Sequence, residues 1–144
     1  MIPAPVRPIV MLMVDDNPAD VVFFREAVES SGTAATIHVV PNGAEAMRFL
    51  RREAPFGHAL RPDIVVLDLN LPLMNGQEVA VEMASDTDLN TIPIAILTTS
   101  TSENCVCEVY PAGRCLYFTK TDDFKRLQLI VGQIAEHART VQQR

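Results

Sequence analysis

Five short runs of aliphatic and β-branched residues recur along the chain, at 8–14, 36–40, 63–67, 93–97 and 114–118, and polar or turn-forming residues close each of them. The first and third, 8–14 and 63–67, are apolar almost throughout, which is how a strand buried on both faces reads. In chain order these runs are β1 to β5. Between them the apolar period changes from continuous to helical. After Asn17, a capping residue, and Pro18, suited to a first helical position, Val21, Phe24, Ala27 and Val28 recur on one side of a helix that ends before Gly32. Pro41-Asn42-Gly43 breaks the second strand, and Asn42 with Glu45 then resembles a capping box for a helix whose apolar side is Ala46, Met47, Phe49 and Leu50. Further helices are expected over 77–84, weakly over 102–109, and strongly over 122–139, where Phe124, Leu127, Val131, Ile134 and Ala138 form the buried stripe. Residues 51–62 carry two prolines, a glycine and three arginines without a sustained period, so they read as a long loop and a candidate for partner contacts.

Strands that alternate with helices over the whole length require a parallel sheet covered on both faces and joined by right-handed crossovers. The expected fold is therefore α/β, a doubly wound five-stranded parallel sheet. One domain over 1–144 is expected, with its core at about 9–139 and short flexible ends. A hydrophobic content of 48% suffices to fill one such core. The formal charge of -6 offers no electrostatic footprint for nucleic acid. The apolar start at 9–14 runs straight into Asp15 and Asp16, too short for a membrane span and without a cleavage signature, so a cytoplasmic protein is expected. Cys105, Cys107 and Cys115 are an odd number with no export signal, which favours reduced thiols over a disulfide framework, and their spacing does not suit structural zinc. Arg51, Arg52 and Arg61 read as a solvated basic patch.

In an open doubly wound sheet, ligands bind beyond the carboxyl ends of the strands. Asp15 and Asp16 follow β1, Asp68 follows β3, Thr98 follows β4 and Lys120 follows β5. Three neighbouring carboxylates repel one another and favour a bound cation. Magnesium, which takes oxygen ligands and keeps several waters, suits Asp15, Asp16, Asp68 and the backbone carbonyl of Asn70; manganese suits the same set. Phosphoryl transfer asks for an in-line nucleophile and neutralised equatorial oxygens. Asp68 is the candidate nucleophile, Lys120 the neutralising cation and Thr98 the hydrogen-bonding hydroxyl.

Taken together, Val14-Asp15-Asp16-Asn17-Pro18, Leu67-Asp68-Leu69-Asn70-Leu71-Pro72, Met74-Asn75-Gly76, Ile92-Pro93 leading to Leu97-Thr98, and Tyr117 through Lys120 resemble a response-regulator receiver domain. The resemblance runs from about Ile9 to Ala138 and rests on the ordered set, no single motif being specific. It implies a flavodoxin-like, CheY-like fold with strand order 2-1-3-4-5, Asp68 as phospho-acceptor, Thr98 as switch hydroxyl, Tyr117 as switch aromatic, and Asn70 and Ser100 as modulators of phosphoryl lifetime. The Asn17-Pro18-Ala19-Asp20 run, the long loop before Arg61-Pro62-Asp63, and Leu97-Thr98-Thr99-Ser100 look most like single-domain regulators paired with phytochrome histidine kinases. For that subgroup one expects homodimerisation through the face formed by 102–109, β5 and the last helix, with output passed to another protein. Two departures stand out: Thr121 where receivers usually have proline after the lysine, and Pro111 and Gly113 in place of an alanine-rich helix end.

Other readings use the same sheet. A haloacid-dehalogenase-type phosphohydrolase wants an acid two residues after its nucleophile, where this chain has Asn70. A flavodoxin-like cofactor binder wants a glycine- and hydroxyl-rich loop after β1, where this chain has Asp15-Asp16-Asn17-Pro18. A scaffold that has lost phosphorylation has no need of the acidic pair, Asp68, Thr98 and Lys120 together.

Overall fold

The structure, a computed structural model, describes residues 7–99 and 105–142. The strands are β1 (Ile9–Val14), β2 (Ala35–Val40), β3 (Ile64–Leu67), β4 (Ile94–Thr98) and β5 (Cys115–Thr119), and all pair in parallel in the order β2-β1-β3-β4-β5. The helices are α1 (Pro18–Ser30), α2 (Gly43–Leu50), α3 (Gly76–Ser85) and α4 (Phe124–Gln142). Alternation along the strands divides the interior in two. Leu12, Val14, Val65, Leu67, Ile94 and Ile96 face α2 and α3, whereas Ile9, Met11, Met13, Ile64, Val66, Ala95 and Leu97 face α1 and α4. Both faces are therefore buried, as the continuous apolar runs demanded.

Capping fixes where three helices start. Asn17 accepts hydrogen bonds from the Ala19 and Asp20 amides, Asn42 accepts from the Glu45 amide, and Asn75 with Glu78 forms a reciprocal capping box. Close backbone approach explains two glycines. A Cβ on Gly43 would collide with the Met74 carbonyl, and one on Gly76 with the Asp68 carbonyl and the Leu69 Cα, so the turn after β3 can fold back only over glycine.

Expectation and structure differ in three places. The stretch expected as a helix over 102–109 shows, among the described residues, one 3-10 turn, Cys105–Glu108; Pro111 and Gly113, the latter at φ 79°, then reverse the chain into β5. Tyr110 holds this segment down. It is buried, donates its hydroxyl to the carbonyls of Leu89 and Ile92, and burial pushes its phenol pKa up. Second, Cys107 and Cys115 form a disulfide rather than free thiols, because that reversal brings their Cα atoms to 5.3 Å. Third, the three arginines are exposed, but two of them are tied to specific partners. Arg51 pairs with Glu82 at 3.3 Å, and Arg61 donates to the Asp88 carbonyl at 2.6 Å and the Thr91 hydroxyl at 2.8 Å. The loop that holds them is anchored inward by Phe56, which packs on Phe49 at 5.3 Å between ring centroids. Among the described residues, no helix is long and apolar enough to cross a membrane.

Candidate phosphoryl-transfer site

The carboxyl ends of β1, β3, β4 and β5 converge on one pocket of polar side chains. Asp15 leaves β1 with its amide donating to the Val40 carbonyl at 3.1 Å, and Asp68 leaves β3 with its amide donating to the Val14 carbonyl at 3.1 Å. These backbone bonds continue the ladder one residue past each strand, so rigid sheet aims both carboxylates. Asp15 is 3% exposed and Asp68 7%.

Each oxygen of Asp68 has a defined partner. Its Oδ1 accepts from Thr98 Oγ1 at 2.9 Å and from the Asn70 amide at 3.0 Å; its Oδ2 accepts from Lys120 Nζ at 2.9 Å. Thr98 is fully buried as the last residue of β4, and its carbonyl accepts the Lys120 amide at 2.8 Å, which registers the hydroxyl against the lysine. Asp15 Oδ1 accepts from the Asn17 amide at 2.9 Å, and its Oδ2 accepts from Lys120 Nζ at 2.8 Å. Burial pushes the Asp15 pKa up; the Lys120 and Asn17 hydrogen bonds pull it back, the Asp68 charge pushes further, and the net direction is upward. Burial alone pushes the Lys120 ammonium pKa down, but hydrogen bonds to Asp15, Asp20 and Asp68 more than reverse this and keep it charged.

Asp16 is exposed, and one oxygen each from Asp15, Asp16 and Asp68 lies within 4.8 Å of the others. That spacing fits the donor set of a hard cation with octahedral oxygen coordination. Asn70 lies in the turn leaving Asp68, with its amide donating to Asp68 Oδ1. Tyr117 sits on β5 opposite Ile96, half-buried against the α2 and α3 side of the core. Ser100 lies outside the described residues. The Lys120-Thr121 bond, where receivers usually have proline, is trans; among the described residues the cis bond is Ala54-Pro55.

The structure adds one carboxylate that the strand-end argument missed. Asp20 Oδ2 accepts from Lys120 Nζ at 2.7 Å. Asp20 lies in the first turn of α1, not at a strand end. Its signal in the sequence was its place in the first turn of a helix that begins two residues after Asp16.

A family model described as the response regulator receiver domain matches residues 11–132. The chain belongs to this family. Its relatives include Response regulator Rcp1 of Synechocystis sp., 35% identical over 120 residues that cover 83% of this chain and 82% of that protein. A solved structure of Rcp1 in its Mn(2+)-bound form superposes with a TM-score of 0.77 at 34% identity, covering 88% of this chain and 91% of the other. The phosphorylated cyanobacterial phytochrome response regulator RcpA matches with a TM-score of 0.81 at 35% identity, covering 93% and 96%. The bacteriophytochrome response regulator RtBRR matches with a TM-score of 0.75 at 32% identity, covering 92% and 78%. The receiver fold with strand order 2-1-3-4-5, expected from the sequence, is the fold of this chain.

Proposed function

We propose that this receiver is a phospho-acceptor signalling module in which Asp68 takes a phosphoryl group from a histidine kinase of the phytochrome class, in the cytoplasm, and passes the signal on by protein contact. One observation carries the reading: both oxygens of a buried aspartate at a strand end are held by the hydroxyl that ends β4, the ammonium that follows β5 and the Asn70 amide of its own turn. Such an arrangement orients a nucleophile and meets the charge that develops on a transferred phosphoryl group. The 35% identity to Rcp1 and the match to RcpA and RtBRR support the kinase class.

Asp15, Asp16, Asp68 and the Asn70 carbonyl would hold magnesium or manganese, whose charge offsets that of the acidic cluster and of the phosphoryl oxygens. The chain's own groups do the rest. Asp68 presents its oxygen from rigid sheet, and Lys120 supplies a permanent positive charge at the acceptor. Phosphorylation turns a carboxylate of charge -1 into a group of about -2 with strong acceptor oxygens. Thr98 already donates to Asp68, so in this reading its hydroxyl follows the phosphoryl group and Tyr117 on the adjacent strand responds. Self-limited phosphorylation, with no turnover of a separate substrate, distinguishes this role from a phosphohydrolase; Asn70 offers no acid at the second position after Asp68.

Acetyl phosphate with magnesium is expected to label the wild type and not Asp68→Asn, read as a shifted band on a phosphate-affinity gel. Equal labelling of the two proteins would remove Asp68 from the acceptor role.

A further inference from the structure

Lys120 has three N–H donors, and three carboxylate oxygens occupy them: Asp15 Oδ2 at 2.8 Å, Asp20 Oδ2 at 2.7 Å and Asp68 Oδ2 at 2.9 Å. The ammonium is therefore saturated before any phosphoryl group arrives, and at least one bond must open for it to meet the incoming charge. The three partners are not equivalent. Asp15 and Asp68 belong to the cluster that offers oxygens to a cation, and Asp68 is also the acceptor, whereas Asp20 is outside that cluster. The Asp20 side chain is 36% exposed against 2% for Asp15 and 8% for Asp68.

Asp20 also has a rigid mount. It is in the first turn of α1, its amide donates to the Asn17 cap at 3.3 Å, and the Asn17 amide in turn holds Asp15 at 2.9 Å. The start of α1 is thereby tied to the strand end beneath the site. A lysine side chain left to itself spreads over many rotamers, and confining it costs side-chain entropy. A fixed counterion that takes no part in the chemistry is a direct way to keep it in place.

We propose that Asp20 is a positioning residue for phosphoryl transfer: it retains one Lys120 donor while the other two pass from Asp15 and Asp68 to the phosphoryl oxygens. This rests on Asp68 being the acceptor. The groove beside the pair, about 480 Å³ and lined by Ala19, Asp20, Phe23, Thr99, Thr121 and Asp122, leaves the outer face of Lys120 next to open space, so without Asp20 the ammonium has room to turn away from the acceptor.

The test is the initial rate of acetyl phosphate labelling at saturating magnesium, in wild type and four variants whose urea midpoints and circular dichroism are compared first. Asp20→Ala is expected to label about tenfold more slowly than wild type, the scale of one charge-assisted hydrogen bond discounted for partial exposure. Asp20→Asn, which keeps an oxygen acceptor in the same place, is expected to recover part of the rate. In a Lys120→Ala background, Asp20→Ala is expected to have no further effect, because its only route to the acceptor is gone. Wild-type labelling by Asp20→Ala, or a full additional loss in the Lys120→Ala background, would overturn the proposal. Failure of the acceptor assignment has a different signature, label retained by Asp68→Asn.

Discussion

Asp15 is 3% exposed and faces the charge of Asp68, so its carboxylate is both desolvated and repelled, and the hydrogen bonds from Lys120 and the Asn17 amide do not cancel this. An acid whose folded pKa lies above its unfolded value holds its proton more tightly when folded. Its ionised form therefore lowers stability in full above the raised value, and the penalty fades as pH falls through that value toward 3.8. It follows that Asp15→Asn should stabilise the metal-free protein at pH 7, read as a thermal midpoint above that of wild type. The gain should shrink as pH is lowered through the same range. Magnesium should raise the midpoint of the wild type more than that of Asp15→Asn. A variant less stable than wild type without metal at pH 7 would mean that the Lys120 pair outweighs burial.

At the scale of elements, the segment between β4 and β5 is where local and long-range forces part company. Ser102 to Val109 has a weak helical pattern, but Pro111 cannot extend a helix, Gly113 supplies a left-handed φ, and Tyr110 is pinned to the loop before β4, so the described part closes as a 3-10 turn bridged to β5 by Cys107 and Cys115. The sequence separation of 8 sets the loop that this bridge closes in the unfolded chain, and reduction should lower stability by about 2.5 kcal/mol on chain-entropy grounds. Urea unfolding with and without reductant measures it. Thiol titration of the unreduced, denatured chain should find one reactive thiol, Cys105; three would show that the bridge is not formed. The strands, by contrast, were readable because burial on both faces leaves an almost uninterrupted apolar run, and two helix starts because Asn17 and Asn42 act within four residues of themselves. Asp15, Asp68, Thr98 and Lys120 were legible for the same reason, since a polar residue at the end of such a run has one place to go. The cysteine pairing and Asp20 were not, because each depends on how two distant segments pack and leaves only a faint mark on local pattern.

For the whole molecule, the parallel sheet places Asp68 at the carboxyl end of β3 and leaves β5 at its edge, and under the proposed function β5 and α4 would report the state of Asp68. Lys120 follows β5 directly, and Tyr117 lies three residues upstream on the same strand, so a displacement of the lysine bears on the exposed side of β5 without crossing the core. On that side Tyr117, Phe118, Arg126, Leu129, Ile130 and Gln133 line a groove of about 460 Å³. Leu129 is 69% exposed on α4, whose buried residues face the opposite way. An apolar side chain so exposed beside a groove with its own cation is the kind of surface that a two-fold interface uses, since each copy can offer a leucine to the other's groove. We therefore expect a homodimer through the β5 and α4 face, with a mass near twice 15.9 kDa by light scattering at high protein concentration. Leu129→Glu should shift it to the monomer by putting like charges on both sides of the two-fold axis, while Asp68 still takes label from acetyl phosphate at the wild-type rate. A wild type that stays monomeric at high concentration would exclude this interface, and a variant that dimerises as well as wild type would move the interface elsewhere on the surface.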